Sequence, residues 1–102
     1  MAKQKILIVD DSEMNRALLM EMLENQYDIE EAENGAAAIE ILSRQRSEFS
    51  LVLLDIMMPE KDGLEVLAHI NKYRWNDRLA VIMISADDSP EKMQRAYKMG
   101  AF

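Results

Sequence analysis

The amino-acid sequence predicts an α/β fold, a parallel sheet covered by helices on both faces. Three observations carry that expectation. Leu51-Val52-Leu53-Leu54 and Ile6-Leu7-Ile8-Val9 are apolar runs too short and too branched to favour helices. They lack polar/apolar alternation, so they read as strands buried on both faces. Strand-like and helix-like stretches alternate along the whole chain, which calls for parallel pairing through right-handed crossovers.

Taken in order, Ile6 to Asp10 is the first strand. Ser12 is placed to cap a helix, with Glu13 in its first turn. Met14, Ala17, Leu18 and Met22 follow helical spacing to about Glu24 and mark the expected core-facing stripe, which Leu19 and Leu23 widen. Tyr27 to Ala32 is a weaker strand whose Glu30-Glu31 pair suits a sheet edge. Asn34-Gly35 signals a turn that opens a second helix, with Ala36, Ala38, Ile39 and Leu42 as its apolar face to about Arg46. Leu51 to Asp55 is the central strand. Met57 to Gly63 is a loop, because Pro59 forbids strand continuation. Leu64, Leu67 and Ile70 mark a third helix to about Tyr73. A polar connection over Arg74 to Arg78 leads to a fourth strand, Leu79 to Ile84, ending at Ser85. Ser89-Pro90-Glu91 starts a fourth helix with a cap, an N1 proline and a first-turn acid, and Gly100 closes it.

With 102 residues, 49% hydrophobic and 30% charged, the chain is expected to form one globular domain over residues 1–102. A net charge of −7 argues against direct nucleic-acid binding and against a basic membrane-surface patch. Absence of cysteine excludes a disulfide framework and thiolate metal sites. The N-terminal stretch does not resemble a signal peptide, and no apolar run is long enough to span a bilayer, so the expectation is a cytoplasmic protein.

Two of the buried strands end in acid, Asp10-Asp11 and Asp55. Neighbouring strands lie about 4.8 Å apart, so adjacent placement would gather three carboxylates at the C-terminal sheet edge, where open α/β sheets bind ligands. Three like charges repel. Mg²⁺ resolves this, since it takes oxygen ligands and uses one or two carboxylates with a phosphate. A carboxylate beside such an ion is also a nucleophile towards phosphorus. Ser85, at the end of the fourth strand, would offer its hydroxyl to a phosphoryl oxygen.

Three separated motifs now resemble one family. Asp10-Asp11, the segment from Leu53 through Asp55 and Pro59 to Asp62-Gly63, and Ile82 to Ser85-Ala86 are similar to the receiver domain of two-component response regulators, in order and spacing. The resemblance implies a flavodoxin-like sheet in the order 2-1-3-4, which a fifth strand would extend. It implies that Asp55 is the phosphoacceptor, charged from a phosphohistidine on a sensor histidine kinase or phosphotransfer protein. It implies Mg²⁺ held by Asp10 and Asp11 with Asp55, Asp11 and Asp55 directly, and the Met57 backbone carbonyl as a further ligand. Ser85 would bind the phosphoryl group and shift an inactive/active equilibrium. Beyond self-catalysed phosphoryl transfer and autodephosphorylation, no enzyme activity is implied. The segment through Asn15-Arg16 resembles receivers of hybrid kinases or multidomain regulators.

The family continues into a fifth strand ending in Lys-Pro and a fifth helix, whereas this sequence stops at Gly100-Ala101-Phe102. The expectation is a truncated receiver whose apolar fourth strand becomes an edge that invites another chain. It would dimerise, exchange elements or add a peptide there, and label more slowly for want of the lysine. The alternative function is a truncated or engineered fragment acting as an oligomerising or structural module. A haloacid-dehalogenase-type phosphatase needs a second acid two residues after its nucleophile, but Met57 follows Asp55 at that spacing and Ser12 follows Asp10. A flavin site lacks its Ser/Thr/Gly-rich phosphate loop after Val9. Asp62-Gly63 reads as loop structure, Asp87-Asp88 as a lead into the fourth helix with Asp87 near the site, and His69 and Trp75 as ordinary packing or surface residues. The methionines read as core filler, unsuited to Mg²⁺.

Overall fold

The computed structural model describes residues 4–45, 48–55, 63–73, 79–84 and 98. The elements in chain order are β1 (Lys5–Val9), α1 (Glu13–Leu23), β2 (Asp28–Ala32), α2 (Gly35–Gln45), β3 (Phe49–Asp55), α3 (Gly63–Lys72) and β4 (Ala80–Ile84). The expected loop over Met57 to Asp62, the connection over Arg74 to Arg78, Trp75, Ser85, Asp87-Asp88 and the start of the fourth helix lie outside the described residues.

The four strands form one parallel sheet in the order β2-β1-β3-β4. β2 lies at an edge, as its paired acids suggested. Register follows the apolar pattern. Leu7 pairs with Val52 and Val52 with Val81, while Val9 pairs with Leu54. Because side chains alternate across a strand, these residues share one face. That face carries the main core, where Leu7, Val9, Val52, Leu54 and Val81 meet Ala38 and Leu42 of α2 and Val66, Leu67 and Ile70 of α3. Ile6, Ile8 and Leu53 point the other way, with Leu19 and Leu23 of α1 packed against them. Each fully buried Leu or Ile contributes roughly 1.5–3 kcal/mol relative to an exposed one, so burial on both faces holds the helices against the sheet.

Helix starts follow from side-chain oxygens. Ser12 Oγ accepts from the Asn15 N–H at 3.2 Å and begins α1. Asn34 Oδ1 accepts from the Ala37 N–H at 2.8 Å and begins α2. At the far end of the sheet, Lys5 Nζ lies 3.5 Å from Glu30 and 3.3 Å from Gln45, over the Phe49 ring, tying β1 to both neighbours and to α2.

Two expectations are corrected. β3 starts at Phe49, two residues before Leu51, with a register shift against Lys5–Ile6 that absorbs polar Ser50. More consequential, part of the expected α1 stripe faces outward: Met14, Leu18 and Met22 are 73%, 54% and 75% exposed, whereas Leu19 and Leu23, which widen it, pack against the sheet. The inward side is Arg16, Leu19, Met20 and Leu23, an i, i+3, i+4, i+7 set. Apolar residues surround α1, and Arg16, anchored as described below, lies on the side that faces the sheet.

Candidate functional site

The site is built by register. Val9 is level with both Ala32 and Leu54, so Asp10 and Asp55, the next residue in each chain direction, leave the sheet at the same edge. The Asp10 N–H continues the ladder to the Ala32 carbonyl at 3.1 Å, which fixes the backbone of the acid pair before α1 begins. One carboxylate oxygen each from Asp10, Asp11 and Asp55 lies within 4.8 Å of the others. Asp10 is buried, Asp55 half-buried and Asp11 exposed.

A buried carboxylate needs hydrogen bonds to offset lost hydration. Asp10 has them at both oxygens: Oδ1 accepts from the Ser12 N–H at 2.9 Å and Oδ2 faces Asn15 Nδ2 at 3.4 Å. Arg16 Nη1 donates to the Asp10 backbone carbonyl at 2.7 Å, and its Nε donates to Glu31 Oε1 at 3.2 Å. The same guanidinium therefore ties the end of β1 to β2. The positive N-terminal end of α1, just after Asp10-Asp11, adds a favourable field of about 0.3–1 kcal/mol for a nearby anion.

The donor set consists of hard, anionic oxygens, the kind a small divalent cation takes, and contains no soft or nitrogen donor. Asp10, Asp11 and Asp55 each bring an oxygen to this cluster, and Asp10 also accepts hydrogen bonds from the protein at both of its oxygens. The expected Met57 carbonyl and Ser85 hydroxyl lie outside the described residues. His69 sits on α3 with its ring 4.8 Å from that of Tyr73, a packing pair away from the acids. Sequence reasoning assigned no role at the site to Asn15, Arg16 or Glu31. Their signal is the spacing of Asn15-Arg16, one helical turn after the cap that follows the acid pair.

Comparison with known proteins agrees with the geometry. The sequence model of the response regulator receiver domain matches residues 6–102. The chain is 42% identical over 102 residues to the chemotaxis protein CheY of Halobacterium salinarum, covering 99% of this chain and 81% of that protein. It is 40% identical over 96 residues to a probable cyclic di-GMP phosphodiesterase of Vibrio cholerae, covering 94% of this chain but only 21% of that protein. Among solved structures, the CheX–CheY–BeF3–Mg²⁺ complex of Borrelia burgdorferi superposes with a TM-score of 0.89 at 28% identity, covering 98% of this chain and 75% of that one. Sheet order, acid cluster and sequence match lead to one conclusion: this chain belongs to the response regulator receiver domain family and is a receiver of two-component signalling.

Proposed function

We propose that Asp55 is the phosphoacceptor of a His-to-Asp phosphorelay and that Asp10, Asp11 and Asp55 form a Mg²⁺ site. The observation that carries this is the meeting of the three carboxylates within 4.8 Å at the C-terminal edge of a parallel sheet. Asp55 ends β3, so strand pairing on both sides holds the backbone from which its carboxylate reaches out. A carboxylate oxygen of Asp55 attacks phosphorus as the N–P bond of a partner's phosphohistidine breaks, and the bonding pair returns to the imidazole. Mg²⁺ bound at the site would offset charge on the phosphoryl oxygens. Asp11 and Asp55 would hold the ion directly, with Asp10 and the Met57 backbone carbonyl as further ligands, and Ser85 would offer its hydroxyl to the phosphoryl group. Attack by water on the acyl phosphate reverses the modification, and the chain turns over no other substrate.

The partner is a sensor histidine kinase or a phosphotransfer protein. The Borrelia relative, solved with CheX, BeF3 and Mg²⁺, supports both the ion and a protein partner. A second copy of the chain adding along β4 is a further proposed association. No helix among the described residues is long and apolar enough to cross a membrane, and we place the protein in the cytoplasm. The chain spans about a fifth of the Vibrio relative, so that protein's enzymatic activity is not carried over.

Intact-mass spectrometry after incubation with acetyl phosphate and Mg²⁺ tests the reading. The parent should gain one phosphoryl group and Asp55→Asn none. Equal labelling of the two proteins sinks the assignment.

A further inference from the structure

We propose that Asn15 is a positioning residue of the cation site, holding the Asp10 carboxylate in one orientation while Arg16 fixes the backbone that carries it. The inference rests on the Mg²⁺ reading above and adds residues outside the acid cluster to it.

Asn15 is the third residue of α1, and its own N–H is capped by Ser12 Oγ. At that position a helix often carries Glu or Gln, whose side chain reaches back to accept the N-cap N–H. Here the Ser12 N–H is already taken by Asp10 Oδ1 at 2.9 Å. The third position is thus released from accepting and is used to donate, with Asn15 Nδ2 turned to Asp10 Oδ2 at 3.4 Å. At that length the contact is a weak bond, and its value lies in orientation. A Glu at the same place would bring a fourth carboxylate to a cluster of three, and a hydrocarbon side chain would leave Oδ2 free to swing.

Arg16 acts on the other side of the same residue. Its side chain is only 13% exposed, and the guanidinium bridges the Asp10 carbonyl and Glu31. The main chain at Asp10 is therefore clamped between β1 and β2, and Asn15 sets the side chain on that clamped base. Neither residue contributes a charge that a cation would take as ligand. Both act through Asp10.

Outer partners that orient metal-binding carboxylates typically change affinity by about 10-fold or more when removed. Calorimetric titration with Mg²⁺ alone, on the full chain, tests this in the parent, Asn15→Leu and Asn15→Gln. Asn15 is exposed on the first turn of α1, so the substitutions fall outside the core. Thermal unfolding in EDTA supplies a readout of structure without metal. The expected result is Mg²⁺ binding about 10-fold weaker in Asn15→Leu, partial recovery in Asn15→Gln, and matching melting temperatures in EDTA. Unchanged Mg²⁺ affinity in Asn15→Leu overturns the inference. So does a loss of affinity that Asn15→Gln fails to relieve and that tracks a lower melting temperature in EDTA, because Asn15 would then be structural. A parent that binds no Mg²⁺ at millimolar concentration removes the cation site itself, which is a distinct failure.

Discussion

The three acids are not equivalent, and their surroundings predict different effects of neutralising each. Asp10 is 5% exposed and accepts hydrogen bonds that a neutral amide would satisfy poorly. Asp11 is exposed. Without metal its charge is mainly a source of repulsion towards Asp10 and Asp55. Asp11→Asn should therefore raise the melting temperature in EDTA, by removing one of three like charges. With metal the sign reverses. A ligand bound only by the folded state stabilises it by about 1.4 kcal/mol at ten times its dissociation constant. For a domain of this size that is a rise of several degrees. The parent should show that rise when EDTA is replaced by Mg²⁺, and Asp11→Asn should show little of it. Scanning calorimetry of both proteins in both buffers decides the matter. A full Mg²⁺-dependent rise in Asp11→Asn would mean that the ion binds elsewhere.

At the level of elements, α1 carries the sharpest disagreement between pattern and packing, and it supplies a direct test. Leu18 is 54% exposed, whereas Leu23 packs against Ile6, Ile8 and Leu53. Leu18→Gln should change stability by less than about 0.5 kcal/mol, as surface substitutions do. Leu23→Ala removes part of a packed face and should cost more, about 1–2 kcal/mol, below the range for fully buried leucines because Leu23 is only partly covered. Equal losses in denaturant titrations would contradict the placement of α1. The contrast also marks what the sequence could disclose. Strands β1, β3 and β4 were legible because continuous apolar runs have few other uses in a small domain. The acid cluster was legible because those strands end in Asp10 and Asp55 and the resemblance to the receiver family implied that they are neighbours. The orientation of α1 was not, since seven apolar residues spread round its surface fit more than one face. On the inward side lies Arg16, a charged residue bonded to the Asp10 carbonyl just after β1 and to a carboxylate on β2. Hydrophobic periodicity carries no information about such a tether. Nor does it foresee the register shift that lets Ser50 enter β3.

The whole molecule opposes two forces at its β4 side. Among the described residues β4 has a ladder partner on one side only, β3. Ile82 is 36% exposed on the sheet face that also carries Ile8 and Leu53, and Ala80 beside it is exposed too. The association proposed above would add a strand of a second copy along β4. Against it stands a net charge of −7 on each copy, which keeps copies apart. Charge repulsion is screened over about 8 Å at physiological ionic strength and about 3 Å at 1 M salt, while strand pairing and apolar contact persist. Association through β4 should therefore strengthen with salt, the reverse of an interface made of ion pairs. Sedimentation equilibrium over a range of protein and NaCl concentrations reads this directly. The expected behaviour is a monomer at low salt and low concentration, moving towards dimer as either rises. Ile82→Glu adds a negative charge beside the edge on both copies and should hold the protein monomeric under the same conditions, with its acetyl phosphate labelling intact because the substitution lies off the acid cluster. A parent that stays monomeric at every salt concentration, or an Ile82→Glu variant that still dimerises, shows that β4 is not the associating edge.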